Sequence, residues 1–117
     1  RLGRLYMSEE ASMLAARVVR RLKKEGWSLS AAESCTGGLL ASCFTDISGS
    51  SEWFTQGWVT YSNESKITQL GVPPTLLEKE GAVSQKVALS MAKGAQEASG
   101  SSVSISITGV AGPTGGI

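Results

Sequence analysis

The stretch that most limits what this chain can fold into is Ala31-Ala32-Glu33-Ser34-Cys35-Thr36-Gly37-Gly38. A short apolar run enters it from Trp27, and Leu39, Leu40, Cys43 and Phe44 leave it at helical spacing. That is a strand, a tight turn and a helix in quick succession. Paired glycines let a ligand approach the backbone closely, and the helix that begins there directs its free N–H groups at the same place. A serine at such a strand end presents its hydroxyl to a ligand. Ser34 therefore reads as a nucleophile, and the alternative is a plain helix cap.

The rest of the chain repeats this alternation. Ser8 is an N-cap with Glu9 and Glu10 in the first turn. Leu14, Val18 and Leu22, flanked by Ala11 and Ala15, form the expected apolar stripe of a helix that Gly26 ends. Its basic run from Arg17 to Lys24 reads as a solvated flank. Strands are expected over 27–32, 57–61 and 102–108, the last from strict alternation of Val103, Ile105 and Ile107 with serines. Asn63 is the expected N-cap of a short helix carrying Lys66, Ile67 and Leu70, stopped by Gly71-Val72-Pro73-Pro74. A further helical turn is expected over 75–80. Ser84 caps another helix with Val87, Met91 and Ala95 on one stripe and Ala88, Ala92 and Ala98 beside it, and those small residues predict close packing on a sheet. Helices alternating with strands argue for an α/β domain with helices on both sheet faces. Residues 1–6 read as a leader or tag before Met7, and residues 7–117 as one domain. Because the chain finishes on a glycine-rich loop after a strand, a further strand and helix are expected beyond it.

Composition excludes several function classes. At 117 residues with 41% hydrophobic and 18% charged, the chain has the makings of one globular core. A net charge of +1 gives no reason to expect nucleic acid or an anionic membrane as partner. No apolar run approaches the roughly 18 residues of a membrane helix. Cys35 and Cys43 are eight positions apart, expected on one helix and too distant for a disulfide, which suits a reduced, cytoplasmic protein. Histidine is absent, so neither a Ser-His-Asp nor a Cys-His device exists within this chain. No cofactor and no metal site are expected, since two thiols and scattered carboxylates make a poor ligand set.

Four ordered blocks give a resemblance: Ala32-Glu33-Ser34-Cys35-Thr36-Gly37-Gly38, Thr60-Tyr61-Ser62-Asn63-Glu64-Ser65-Lys66, Gly81-Ala82-Val83-Ser84, and Ile107-Thr108-Gly109-Val110-Ala111-Gly112-Pro113. From about Met7 to Ile117 the sequence resembles the C-terminal domain of the competence/damage-inducible CinA proteins, including stand-alone nicotinamide mononucleotide deamidases. The resemblance implies a three-layer α/β/α sandwich around a mixed β-sheet, of which the C-terminal strand and helix are missing here. It also implies hydrolysis of the carboxamide of nicotinamide mononucleotide to nicotinate mononucleotide and ammonia, in pyridine nucleotide recycling, with a serine nucleophile and a lysine base.

Amide hydrolysis needs a nucleophile, a base and donors for the oxyanion. Ser34 fits the first requirement. Without histidine the base must be a lysine, tyrosine or carboxylate, and Lys66 is the best candidate. With Asn63 as cap, Lys66 falls at the third helical position, where the dipole disfavours a cation by ~0.3–1 kcal/mol. The N–H groups of Thr36, Gly37 and Gly38 are open to two uses, oxyanion or substrate phosphate. Tyr61 is placed to relay a proton, bond Ser34 or stack on the pyridine ring, against ordinary core packing. Glu33 holds Lys66, a substrate hydroxyl or a structural salt bridge. Asn63 is grouped with the substrate contacts. Cys35 is expected behind the serine, because neighbours on a strand face opposite ways. Thr108, Gly109 and Gly112 are expected to close the pocket as a phosphate or ribose loop. The partner implied is a small nucleotide, with a homo-oligomer possible. A non-catalytic nucleotide-binding or regulatory module is the alternative reading, and a DNA-binding role ranks third.

Overall fold

The computed structural model describes residues 8–110. Residues 1–6, expected to be a leader, and Gly112, expected in the pocket loop, lie outside them. Three strands form one sheet: β1 (Leu29–Glu33), β2 (Phe54–Val59) and β3 (Val103–Ile107), in the order β2-β1-β3. Helices α1 (Glu9–Glu25) and α2 (Leu39–Thr45) precede β2, together with a 3-10 turn at Ser50–Glu52. Helices α3 (Asn63–Leu70), α4 (Pro74–Glu80) and α5 (Gln85–Ser99) connect β2 to β3. Both β2 and β3 run parallel to the central β1. The mixed sheet implied by the resemblance needs an antiparallel strand, and none occurs among the described residues.

Why the layers form follows from the connections. Parallel neighbours need crossovers, and crossovers are right-handed. The chain leaves β1 towards one side to make β2 and returns past β1 to make β3 on the other. Right-handed crossovers in opposite directions put their helices on opposite faces. One core holds Ala15, Val19, Leu22, Leu29, Phe44 and Trp53; the other holds Ala32, Leu70, Val72, Leu77, Val87, Met91 and Ala95. All five residues of β1 are buried, as a strand covered on both faces must be.

Helix ends follow their expected chemistry in most places. Ser8 accepts from the Ala11 N–H, Ser84 from the Val87 N–H, and Gly26, Gly71 and Gly100 close their helices at positive φ. Two expectations, the stripe of the first helix and the shared helix of the cysteines, are corrected, and the inward face of β3 is settled. The buried stripe of α1 is Ala15, Val19 and Leu22, while Leu14 and Val18 are exposed, because the helix turns its i, i+4, i+7 face to Leu29, Phe44 and Trp53. In β3 the serines, not the isoleucines, face α5: Ser104 and Ser106 donate to the Ala92 and Ala88 carbonyls. Small hydroxyl residues let that helix sit close, and a hydroxyl bonded to a helix carbonyl carries no burial penalty. Cys35 and Cys43 do not share a helix, since Cys35 lies in the turn before α2; both are free thiols.

Candidate active site

Ser34 and Lys66 meet at the carboxyl end of β1. Ser34 follows the last residue of the strand, held by its N–H to the Ile107 carbonyl at 3.0 Å. Lys66 reaches in from the first turns of α3. Its Nζ lies 3.0 Å from Ser34 Oγ, 2.8 Å from the Thr60 carbonyl and 3.2 Å from the Tyr61 carbonyl. The side chain is 1% exposed, which is rare for lysine and forces a choice of protonation state. Burial pushes the Lys66 amine below the ordinary lysine value, and electrostatic proximity to Cys35 works weakly the other way. A neutral amine has two N–H groups and one lone pair. Carbonyls only accept, so the charged amine donates to Thr60, Tyr61 and Ser34 alike, whereas the neutral amine gives both N–H groups to the carbonyls and turns its lone pair to the Ser34 hydroxyl.

The cap of α3 is Ser62, whose Oγ accepts from the Ser65 N–H at 3.0 Å, and not Asn63. Lys66 is therefore the fourth helical residue, with its own N–H bonded to the Ser62 carbonyl at 3.2 Å. Burial is the leading cause of its lowered basicity. Asn63 is exposed and does not line the cavity.

That cavity, about 250 Å³, is lined by Ser34, Cys35, Tyr61, Lys66, Ala82, Thr108, Gly109 and Val110. It lies below the roughly 300–1,000 Å³ typical of sites enclosing a whole drug-sized ligand, and suits the ring end of one. Thr108 and Gly109 do wall it, as expected, but the Thr108 hydroxyl donates to the Ala82 carbonyl at 2.8 Å. Tyr61 is 65% exposed, which overturns core packing, and its carbonyl, not its hydroxyl, holds Lys66. Cys35 shares the cavity with Ser34 because both lie in the turn, past the end of strand alternation. A Cβ at Gly109 would stand 3.2 Å from its Sγ, so the β3 loop closes tightly over it.

Glu33 corrects a second group of expectations. It is 1% exposed and outside the cavity. One carboxylate oxygen accepts from Thr36 Oγ1 (2.6 Å), Gly38 N (3.1 Å) and Leu40 N (2.9 Å), and the other from Ala41 N (2.8 Å). The Gly37 N–H is spent on the Ser34 carbonyl at 3.2 Å. The start of α2 is thus filled by the chain's own carboxylate, and the N–H groups of Gly37 and Gly38 are not free for an oxyanion or a phosphate. Ala82 and Val110 were missed as lining residues. Ala82 stood inside one of the four sequence blocks, which was the available signal. Among the described residues no group of three His, Cys, Asp or Glu side chains could hold a metal ion. Nor is any helix there long and apolar enough to cross a membrane.

The CinA C-terminal domain model matches residues 11–117. The chain belongs to that family. It is 53% identical over 115 residues to a CinA-like protein of Geotalea daltonii, covering 98% of this chain and 28% of that protein. It is 50% identical over 103 residues to a protein of Enterobacter agglomerans named nicotinamide-nucleotide amidohydrolase PncC, covering 88% of this chain and 63% of that one. Among solved structures, a CinA superfamily protein from Escherichia coli matches with TM-score 0.86 and 38% identity, covering 93% of this chain and 64% of that one. The competence/damage inducible protein CihA from Agrobacterium tumefaciens matches with TM-score 0.85 and 41% identity, covering 93% and 66%. The chain thus spans less than a third of the CinA-like relative and about two thirds of the solved chains.

Proposed function

We propose that this domain is an amidohydrolase acting on nicotinamide mononucleotide, with Ser34 as nucleophile and Lys66 as base. The observation that carries the reading is the buried Lys66 amine 3.0 Å from Ser34 Oγ, its other contacts being carbonyls that can only accept. The name of the Enterobacter agglomerans relative supports the substrate class. Ser34 Oγ attacks the carboxamide carbon while Nζ takes its proton. The tetrahedral intermediate collapses, the proton passes from Nζ to the leaving nitrogen, and ammonia departs from an acyl-enzyme ester. Water, deprotonated by the same amine, hydrolyses the ester to the carboxylate and restores Ser34. Tyr61 stands at the exposed rim, where its ring is available to the pyridine ring of the substrate.

The experiment is direct: nicotinamide mononucleotide is incubated with the protein and ammonia is assayed. Ser34→Ala is expected to lower turnover by roughly 10³-fold or more while the protein still folds. Turnover equal to wild type in that variant ends the proposal. Most relatives carry the broader CinA-like name, which favours a second reading, a nucleotide-binding module without catalysis. Binding of the mononucleotide with no ammonia released is the outcome that selects it.

A further inference from the structure

Glu33 is a buried carboxylate that touches neither the cavity nor Lys66, yet it makes four side-chain hydrogen bonds. We propose that Glu33 is the positioning residue that sets the Ser34–Lys66 spacing, by tying both halves of the pair to one residue. The inference rests on the Ser34–Lys66 reading above.

Two arms leave Glu33. The side chain reaches forward across the Ser34 turn and takes the Thr36 hydroxyl and the N–H groups of Gly38, Leu40 and Ala41. This fixes the turn that carries Ser34 between the end of β1 and the start of α2. The main chain reaches sideways: the Glu33 carbonyl accepts from Thr60 N at 2.8 Å and Thr60 Oγ1 at 3.4 Å. Thr60 in turn presents its carbonyl to Lys66 Nζ at 2.8 Å. Ser34 is thus the next residue along the chain from Glu33, inside the turn its carboxylate spans, and Lys66 is two hydrogen bonds from Glu33 by way of Thr60.

A local cap would not do this. A serine or aspartate at the start of α2 would satisfy the helix and leave the turn free to move against the strand. A glutamate at the strand end spans the turn, so the helix, the turn and the strand are fixed together. Burying a carboxylate is costly unless hydrogen bonds satisfy it, and here four donors do so at the start of a helix.

The test uses two variants, Glu33→Gln and Thr36→Val, and a fluorophosphonate probe that labels an activated serine hydroxyl. Glu33→Gln keeps the shape but puts an NH2 group where a carboxylate oxygen accepts. Thr36→Val removes one donor of the four. Misplacement of reacting groups by about 1 Å costs on the order of 10²-fold. Labelling of Ser34 is therefore expected to slow about 10-fold or more in Glu33→Gln and several-fold in Thr36→Val, measured on folded protein below its melting temperature. With nicotinamide mononucleotide, kcat is expected to fall in parallel while KM stays within about twofold. Wild-type labelling rates in both variants, or a rise in KM at unchanged kcat, overturn the positioning role and leave the Ser34–Lys66 reading standing. Failure of Ser34 to label in the wild type overturns that reading and this inference with it. If Glu33→Gln does not fold, Thr36→Val decides.

Discussion

A lysine that is 1% exposed carries a pH dependence in both activity and stability. Lys66 has its basicity lowered by burial, so it loses its proton at a lower pH in the folded chain than in the unfolded one. With Lys66 as the proposed base, activity needs the neutral amine, and the limb of kcat/KM is expected to rise through a value below the ordinary lysine range. The stability effect has the same direction. Between the lowered folded value and the unfolded value of about 10.4, the unfolded chain binds more protons, so stability rises with pH in that window. Lys66→Met is expected to abolish ammonia release and to flatten the rise of melting temperature across that window, as thermal scans at a series of pH values would show. Among individual residues, the sequence singled out Ser34 and Lys66, which the fold brings to 3.0 Å of each other, since the absence of histidine left few candidates for a base. It did not show the role of Glu33, because a carboxylate beside a serine looks the same whether it holds a substrate or caps a helix five residues on. Nor did it show that Ser62 and not Asn63 caps α3, since both residue types cap and they are adjacent.

Between elements, the contact that most constrains the site is the crossing of α3 and α5. A Cβ at Gly94 would stand 1.9 Å from the Leu70 carbonyl oxygen, which is backbone and cannot swing aside. Leu70 is one helical turn beyond Lys66 on α3, so parting these helices moves the base. Gly94→Ala is expected to destabilise by about 2 kcal/mol, overpacking of up to about 3 kcal/mol being offset by about 1 kcal/mol of helix propensity. Urea unfolding measures the first effect. A fall in kcat at a temperature where the variant is fully folded measures the displacement of Lys66. This crossing was not legible beforehand, because an isolated glycine inside a helical pattern looks like a mere weakness. Element existence was readable wherever one apolar stripe and one cap agreed, as at Ser84 with Val87, Met91 and Ala95. The inward face of β3 was not readable, because alternation marks two faces without saying which is covered. Ser104 and Ser106, bonded to helix carbonyls, show that the serine face is the one turned to α5.

For the whole molecule, the order β2-β1-β3 makes β1 the strand at which the chain changes direction across the sheet. The crevice at the carboxyl ends of such strands is where open α/β sheets bind ligands. Ser34 follows β1, Thr60 and Tyr61 follow β2, and Thr108 and Gly109 follow β3, so one end of the sheet supplies the cavity from all three strands. Binding there should hold the strand ends together and couple to global stability. Because the Ser34→Ala chain is expected to retain ligand without turning it over, it isolates binding from chemistry. Nicotinamide mononucleotide at about 100 times its Kd is expected to stabilise that variant by about 2.7 kcal/mol, read as a rise of several degrees in melting temperature. Ala82 is half-buried on the wall of the cavity that Ser34 and Lys66 also line, and its carbonyl already holds Thr108. Adding Ala82→Phe should fill the space without disturbing that backbone bond, and the thermal shift should vanish. A shift that survives would place the bound nucleotide elsewhere on the sheet, and the crevice at β1 would lose its claim to be the site.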